Sequence, residues 1–145
     1  MYRLEMNFRR LPDTQADVVT WKQRSAERKL WHKEVYWEAR QQHLIPKTPL
    51  TRVSVRGVRF SNKMPDRCNL WYSFKAIVDG LTKAGIIADD NPWILLHEDY
   101  DWMFVKDNRQ FGVRLVVEEL ATDWQLPARC QGHNECPVCC KDTPP

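Results

Sequence analysis

No stretch of this 145-residue chain stays apolar for the roughly 18 residues that a membrane-spanning helix needs. Nor is there a basic and then apolar leader at the N-terminus, so no secretory signal is expected and the chain reads as a soluble protein of the cytoplasm. Internal repeats and low-complexity tracts are absent as well, which removes repeat architectures and leaves an ordinary globular domain. At this length the chain suits one compact domain that buries about two thirds of its unfolded surface.

The net charge is only +3, but its distribution is uneven. Residues 1–63 hold 14 Lys/Arg against 6 Asp/Glu, whereas residues 64–145 hold 8 against 13. A basic front attracts polyanions, and an acidic rear can hold carboxylates that tolerate a polyanion only with cations present. Ordinary mixed surface charge is the alternative.

The apolar period changes along the chain. Tyr2, Leu4, Met6 and Phe8 alternate with Arg3, Glu5, Asn7 and Arg9, which predicts a half-buried strand. Residues 20–43 contain no Pro or Gly and predict a helix. On it Ala26, Leu30 and Trp37 share one face and Trp31, Val35 and Ala39 the opposite one, so coverage on two sides is expected. Lys22, Lys29, Lys33 and Arg40 form a positive flank; Glu27, Glu34 and Glu38 form a negative one. "LTRVSVRGVRF" predicts a second strand, in which Val58 and Phe60 fall out of phase with Val53 and Val55; a bulge at Gly57 would restore the phase.

Phe74, Ile77, Val78 and Leu81 have the i, i+3, i+4, i+7 spacing of a buried helix face, and Gly85 suits a left-handed C-terminal cap closing Ile86 onto Leu81. Two further strands are expected near 100–105 and 111–118, with "KDNRQ" as a hairpin loop between them. The fold class is therefore α+β: a single domain with a mixed β-sheet packed with helices, order β-α-β-α-β-β. It spans residues 1–120, and a Cys/His-rich C-terminal tail follows at 121–145.

The segment "PDRCNLWYSFKAIVDGLTKAGIIADDNP" carries the candidate chemistry. Asp66 and Asn69 open the helix, Lys75 lies on its polar side, and the reversal at Gly85 allows the chain to carry Asp89 and Asp90 back by about 16 Å if extended. Convergence of Asp66 with Asp89 and Asp90 would suit a hard divalent cation such as Mg²⁺, with a phosphodiester completing its shell and Lys75 steadying an oxygen. Helix caps and an ordinary "DDNP" turn are the competing explanation.

The run Asp66, Asn69, Leu70, Lys75, Asp79, Gly80, Leu81, Ala84, Gly85, Asp89, Asp90, Asn91 and Pro92 closely resembles the RusA-like Holliday junction resolvases of bacteria and phages. The resemblance covers about 27 residues. It implies a small homodimeric, Mg²⁺-dependent endonuclease that nicks four-way DNA junctions. Asp66 then matches the first metal-binding aspartate, Lys75 the essential lysine, and Asp90, with Asp89 beside it, the late metal-binding aspartate. Cys68 departs from the pattern, which has a second aspartate there; a thiol is a soft ligand that binds Mg²⁺ poorly. Asp89 or Asn69 with waters would complete the oxygen shell instead. A junction-binding recombination accessory that does not cleave is the alternative.

In that setting Lys22, Lys29, Lys33, Arg40, Arg56, Arg59, Lys63 and Arg67 become backbone contacts to branched DNA, with Asn69 and Trp71 at its surface. Trp21, Trp31 and Trp37 suit either base stacking or anchoring of a core or dimer interface; anchoring is favoured for Trp37 and Trp102. In the tail, Cys130, His133, Cys136 and Cys139 have a spacing that suits tetrahedral Zn²⁺, although the short central gap demands a tight loop. A tail of reduced thiols is the other reading.

Overall fold

The computed structural model describes residues 1–13 and 20–125. The chain runs β1 (Arg3–Phe8), α1 (Trp21–Gln41), β2 (Val53–Ser61), α2 (Arg67–Lys83), β3 (Leu95–Phe104) and β4 (Gly112–Glu119). The order is the expected β-α-β-α-β-β, and the sheet is mixed. Its strand order is β1-β4-β2-β3, with β3 parallel to β2 and β4 antiparallel to both β1 and β2.

This topology corrects the expected hairpin. β3 and β4 are not neighbours, because β2 lies between them, and the connection carries a single 3₁₀ turn at Asn108–Gln110. The reason lies in composition. β4 buries Val113, Leu115 and Val117 and suits a central position, whereas β3 carries Glu98, Asp99 and Asp101 and suits an edge, where charge blocks further pairing.

Both helices pack on one face of the sheet. Leu4, Met6 and Phe8 of β1, Val53 and Val55 of β2, and Val113, Leu115 and Val117 of β4 meet Trp31, Val35, Phe74, Ile77 and Leu81 in one core. Fully buried Trp31 sets its ring edge-on to Phe8 at 5.4 Å and donates its indole N–H to Glu27 at 2.8 Å, so it is a core residue and takes no part in stacking on bases. Among the described residues, α1 is covered on one side only. Ala26 and Leu30 lie on its outer side, and Trp37 there is 50% exposed, so Trp37 is not a core anchor. Trp102 does pack against the core and donates to Ser61 Oγ at 2.9 Å.

No bulge forms at Gly57. The ladder passes through it in register on both sides, opposite Leu115 and Tyr100, and the irregularity lies earlier, between Val53 and Ser54 on the β3 side. Val58 and Phe60 are out of phase because they occupy the opposite face of the sheet, where the Arg114 guanidinium sits 5.5 Å from the Phe60 ring centroid. Gly57 itself faces α2. A Cβ there would come within 2.8 Å of Phe74 Cδ1 and Cζ and closer still to Cε1, so the glycine admits a close approach of helix to sheet.

The ends of α2 follow from their sequence. Asp66 caps the N-terminus, accepting from the Asn69 backbone N–H at 2.8 Å. Gly85, at φ 76°, takes the left-handed position after the C-cap, with Ile86 N–H donating to Leu81 and Gly85 N–H to Thr82, the expected Schellman closure. No helix among the described residues is long and apolar enough to cross a membrane.

Candidate functional site

Lys75 and Asp90 line one cleft of about 330 Å³ between α2 and the first half of β3. Cys68 and Trp71 also line it from α2, and Glu98 and Tyr100 from β3. The α2 contribution is a helical stripe. At 3.6 residues per turn, Cys68, Tyr72 and Lys75 of the lining stand at i, i+4 and i+7 and share one side of the helix, and Asp79, at i+11, continues that side beyond the lining. That side is opposite the buried face of Phe74, Ile77 and Leu81.

Asp66 falls outside this stripe. It is the N-cap, with extended backbone before the first helical residue, and it does not line the cleft. Its carboxylate is occupied with the cap and with Asn69 Nδ2 at 2.9 Å. The expected convergence of Asp66 with Asp90 is therefore not formed. The chain after Gly85 does not run back to the start of α2, because Leu50 and Ile87 form a parallel bridge, with Leu50 N–H donating to Ile86 and Ala88 N–H to Leu50 at 2.9 Å each. That bridge holds Asp90 beside the second half of α2, next to Asp79, which lies about 20 Å further along the axis than Asp66.

Asp90 and Asp79 form a carboxyl pair. Partial burial raises the Asp90 pKa above the ordinary carboxyl value; a hydrogen bond with Asp79 and the Asp79 charge raise it further, and Lys75 opposes the shift. Arg28 of α1 approaches Asp79 from the other side, with Nε 3.6 Å from its oxygen. Asp89 serves the loop: it accepts from Asp90 N–H at 2.8 Å and Asn91 Nδ2 at 2.7 Å, and these bonds, the Asn91 one foremost, lower its pKa. Its oxygens are thus engaged in shaping the turn that presents Asp90.

The back wall of the cleft is aromatic. Tyr100 stacks on Phe74 at 4.3 Å and 6° and meets Trp71 edge-on at 4.6 Å. Its hydroxyl donates to Glu98 Oε1 at 2.7 Å, and burial, with Glu98 adding to it, pushes the Tyr100 pKa well up, so this donor stays protonated. Glu98 and Asp79 are the two acids to which the sequence assigned no site role, although Asp79 stands in the resembling run. Asp79 was detectable as the i+4 partner of Lys75 on its helix stripe. Glu98 was not, because "HED" interrupts the alternation and hides the first half of β3.

The basic residues divide among several surfaces. Lys22, Lys29, Lys33 and Arg40 are all exposed along α1, and Lys63 and Arg67 are exposed where β2 leads into α2, at the Cys68 end of the cleft. Arg56 lies on the sheet face away from the helices and pairs with Glu118 at 3.0 Å. Arg59 is only 8% exposed and donates to the Pro12 carbonyl at 2.6 Å, so burial removes it from the set of phosphate contacts. Asn69 bonds to Asp66, and Trp71 is half-buried in the cleft wall. Cys130, His133, Cys136 and Cys139 lie outside the described residues. Among the described residues no three or more His, Cys, Asp or Glu side chains gather as a metal-ligand group. No protein-family model matches the chain, and no curated protein sequence does.

Proposed function

We propose that this chain is a structure-selective DNA endonuclease that hydrolyses phosphodiester bonds at four-way junctions with Mg²⁺, acting as a homodimer in recombination and repair. The observation that carries this reading is that Lys75 and Asp90 line one open cleft, with Asp79 acting on Asp90 from α2. The resemblance of residues 66–92 to the RusA-like resolvases supports it. A four-way junction is nearly two-fold symmetric, so a two-fold dimer would set one cleft against each of two opposed strands.

The donor chemistry suits the ion. Mg²⁺ is commonly held by one or two carboxylates, with waters and substrate phosphates filling the remaining positions. Asp90, with Asp79 beside it, is such a pair, and its raised pKa marks a carboxyl whose ionisation a nearby cation would favour. When bound, the ion supplies neutralisation of phosphate charge and a more acidic water. Asp66 belongs to the supporting structure in this reading, as the cap that fixes the start of α2.

The chain's own groups do the rest. Lys75 brings a mobile cation to the cleft, able to follow a phosphate oxygen as charge develops on it. The Tyr100 hydroxyl fixes the Glu98 carboxylate in one orientation. Arg28 pairs with the Asp79 carboxylate and fixes its position on α2. The exposed cations of α1 and of the β2–α2 junction fix the DNA by its backbone without reading sequence, which suits an enzyme that selects shape.

A second reading rests on Cys68. Its thiol lines the cleft where the resembling family carries an aspartate, which favours a protein that binds junctions without cutting them. One assay separates the two. Purified protein is incubated with a synthetic four-way junction with and without Mg²⁺. Nicks that require Mg²⁺ and vanish in Asp90→Asn while binding persists are expected. Binding without nicks at any divalent ion would leave the second reading, and no binding would reject both.

A further inference from the structure

The loop between α2 and β3 holds a tryptophan in the open. Trp93 is 84% exposed, the most exposed tryptophan among the described residues. A side chain that presents up to about 250 Å² of largely apolar surface is costly to leave in water without a partner. Its position is fixed by the chain: Asp90 and Leu95, three residues before it and two after, both line the cleft. The indole is therefore carried by the same loop that brings Asp90 to the cleft, three residues from it in the chain.

The loop is also pre-shaped. Asp89 accepts from Asp90 N–H and from Asn91 Nδ2, Asn91 Oδ1 accepts from Trp93 N–H at 3.0 Å, and the Asn91 carbonyl accepts from Ile94 and Leu95 N–H at 3.1 and 2.9 Å. The turn residues thus spend their polar groups on holding the backbone that carries the indole, so little further ordering is required when the ring meets a partner.

We propose that Trp93 is a stacking platform for a nucleobase at the branch point, placed so that the adjoining phosphate enters the Lys75–Asp90 cleft. The inference rests on the DNA reading above and deepens it. Four-way junctions expose base faces at the crossover, which continuous duplex does not, so an exposed aromatic on this loop would give the enzyme a means of recognising branching. Stacking is tolerant of sequence because every base presents a π-face.

The test measures binding in Ca²⁺, without turnover, using a four-way junction and a linear duplex that carry 2-aminopurine. The 2-aminopurine stands at the branch point of the junction and at the corresponding duplex position. Relative to wild type, Trp93→Ala is expected to bind the junction about 5- to 150-fold more weakly, the range for loss of one base stack. Trp93→Phe should recover most of the affinity, and Trp93→Leu, apolar without a π-face, should not. Wild type should change the junction probe's emission, and Trp93→Ala should not. Because the side chain is exposed, all three variants should melt with wild type, so lost affinity is not lost folding.

If wild type binds the junction and Trp93→Ala binds equally well, the stacking role is refuted while the DNA reading stands. If Leu restores binding as well as Phe, the contact is not a stack and the proposal fails. If Trp93→Ala changes only the oligomeric state by light scattering, the residue is a self-association contact and the proposal fails in favour of that. If wild type binds neither DNA, the DNA reading fails and takes the proposal with it.

Discussion

Gly57→Ala is the sharpest test of how the helix layer sets the cleft. Gly57 is not among the glycines with positive φ, so its backbone does not call for glycine. The sole demand is space. The added Cβ would lie 2.8 Å from two atoms of the Phe74 ring and closer to a third, and Phe74 is fully buried between Gly57 and Tyr100. The ring or the helix must shift, and overpacking of this kind costs about 1 to 3 kcal/mol.

At this chain length 1 kcal/mol corresponds to about 4 °C, so a fall in Tm of about 4 to 12 °C is expected. Urea titration with an unchanged m-value would show that the loss is one of stability rather than of cooperativity. The sign discriminates. If Gly57 faced open space, alanine would instead stabilise by about 0.4 to 1 kcal/mol through the unfolded chain. Gly57→Ala with Phe74→Leu should cost less than the two single changes together, by at least 0.5 kcal/mol, since the smaller side chain vacates the contested volume. A stabilised Gly57→Ala, or strict additivity in the double variant, would refute the packing argument. Phe74 stacks on Tyr100, whose hydroxyl orients Glu98, so the same substitution should also disturb the cleft.

Three further outcomes are expected. Asp90→Asn should be more stable than wild type at pH 7, by up to about 1 kcal/mol for a carboxyl still open to solvent. Because the folded pKa is raised, wild-type stability declines as pH climbs from the ordinary carboxyl value through the raised one. The variant's advantage should therefore shrink and disappear on acidification below about pH 3.9, and an advantage that persists there would show that the charge is not its source. Cys68→Asp adds a carboxylate to the cleft lining about 17 Å along the helix axis from Asp79 and should leave the Mg²⁺ concentration required for nicking unchanged; a lower requirement would show that position 68 approaches the ion. Arg59→Ala should cost about 1.5 to 3 kcal/mol in chemical denaturation, through loss of a charge-assisted bond to the Pro12 carbonyl. It should leave the salt slope of junction binding intact, whereas Lys33→Ala should lower that slope by about one.

The local pattern of this chain was legible without coordinates. Period-two alternation marked β1 and β4, the i, i+3, i+4, i+7 spacing marked the buried face of α2, and Gly85 marked the helix end with its closing bonds, because each depends on residues only a few positions apart. The Cys68–Lys75–Asp79 stripe is local in the same sense. What folding in three dimensions decided was everything set by neighbours distant in sequence. β4 entered between β1 and β2 because its apolar side chains favour burial at the centre, and acidic β3 remained at the edge. Val58 and Phe60 were apolar without being inward, since a strand has two faces and only packing says which one the helices cover. Arg59 resembled its exposed neighbours in sequence and is buried, because the chain at Pro12 passes over it. The same holds for the site. Sequence supplied acids at both ends of a helix, and the Leu50–Ile87 bridge, a contact between residues 37 positions apart, determined that Asp90 meets Asp79 and Lys75 rather than Asp66.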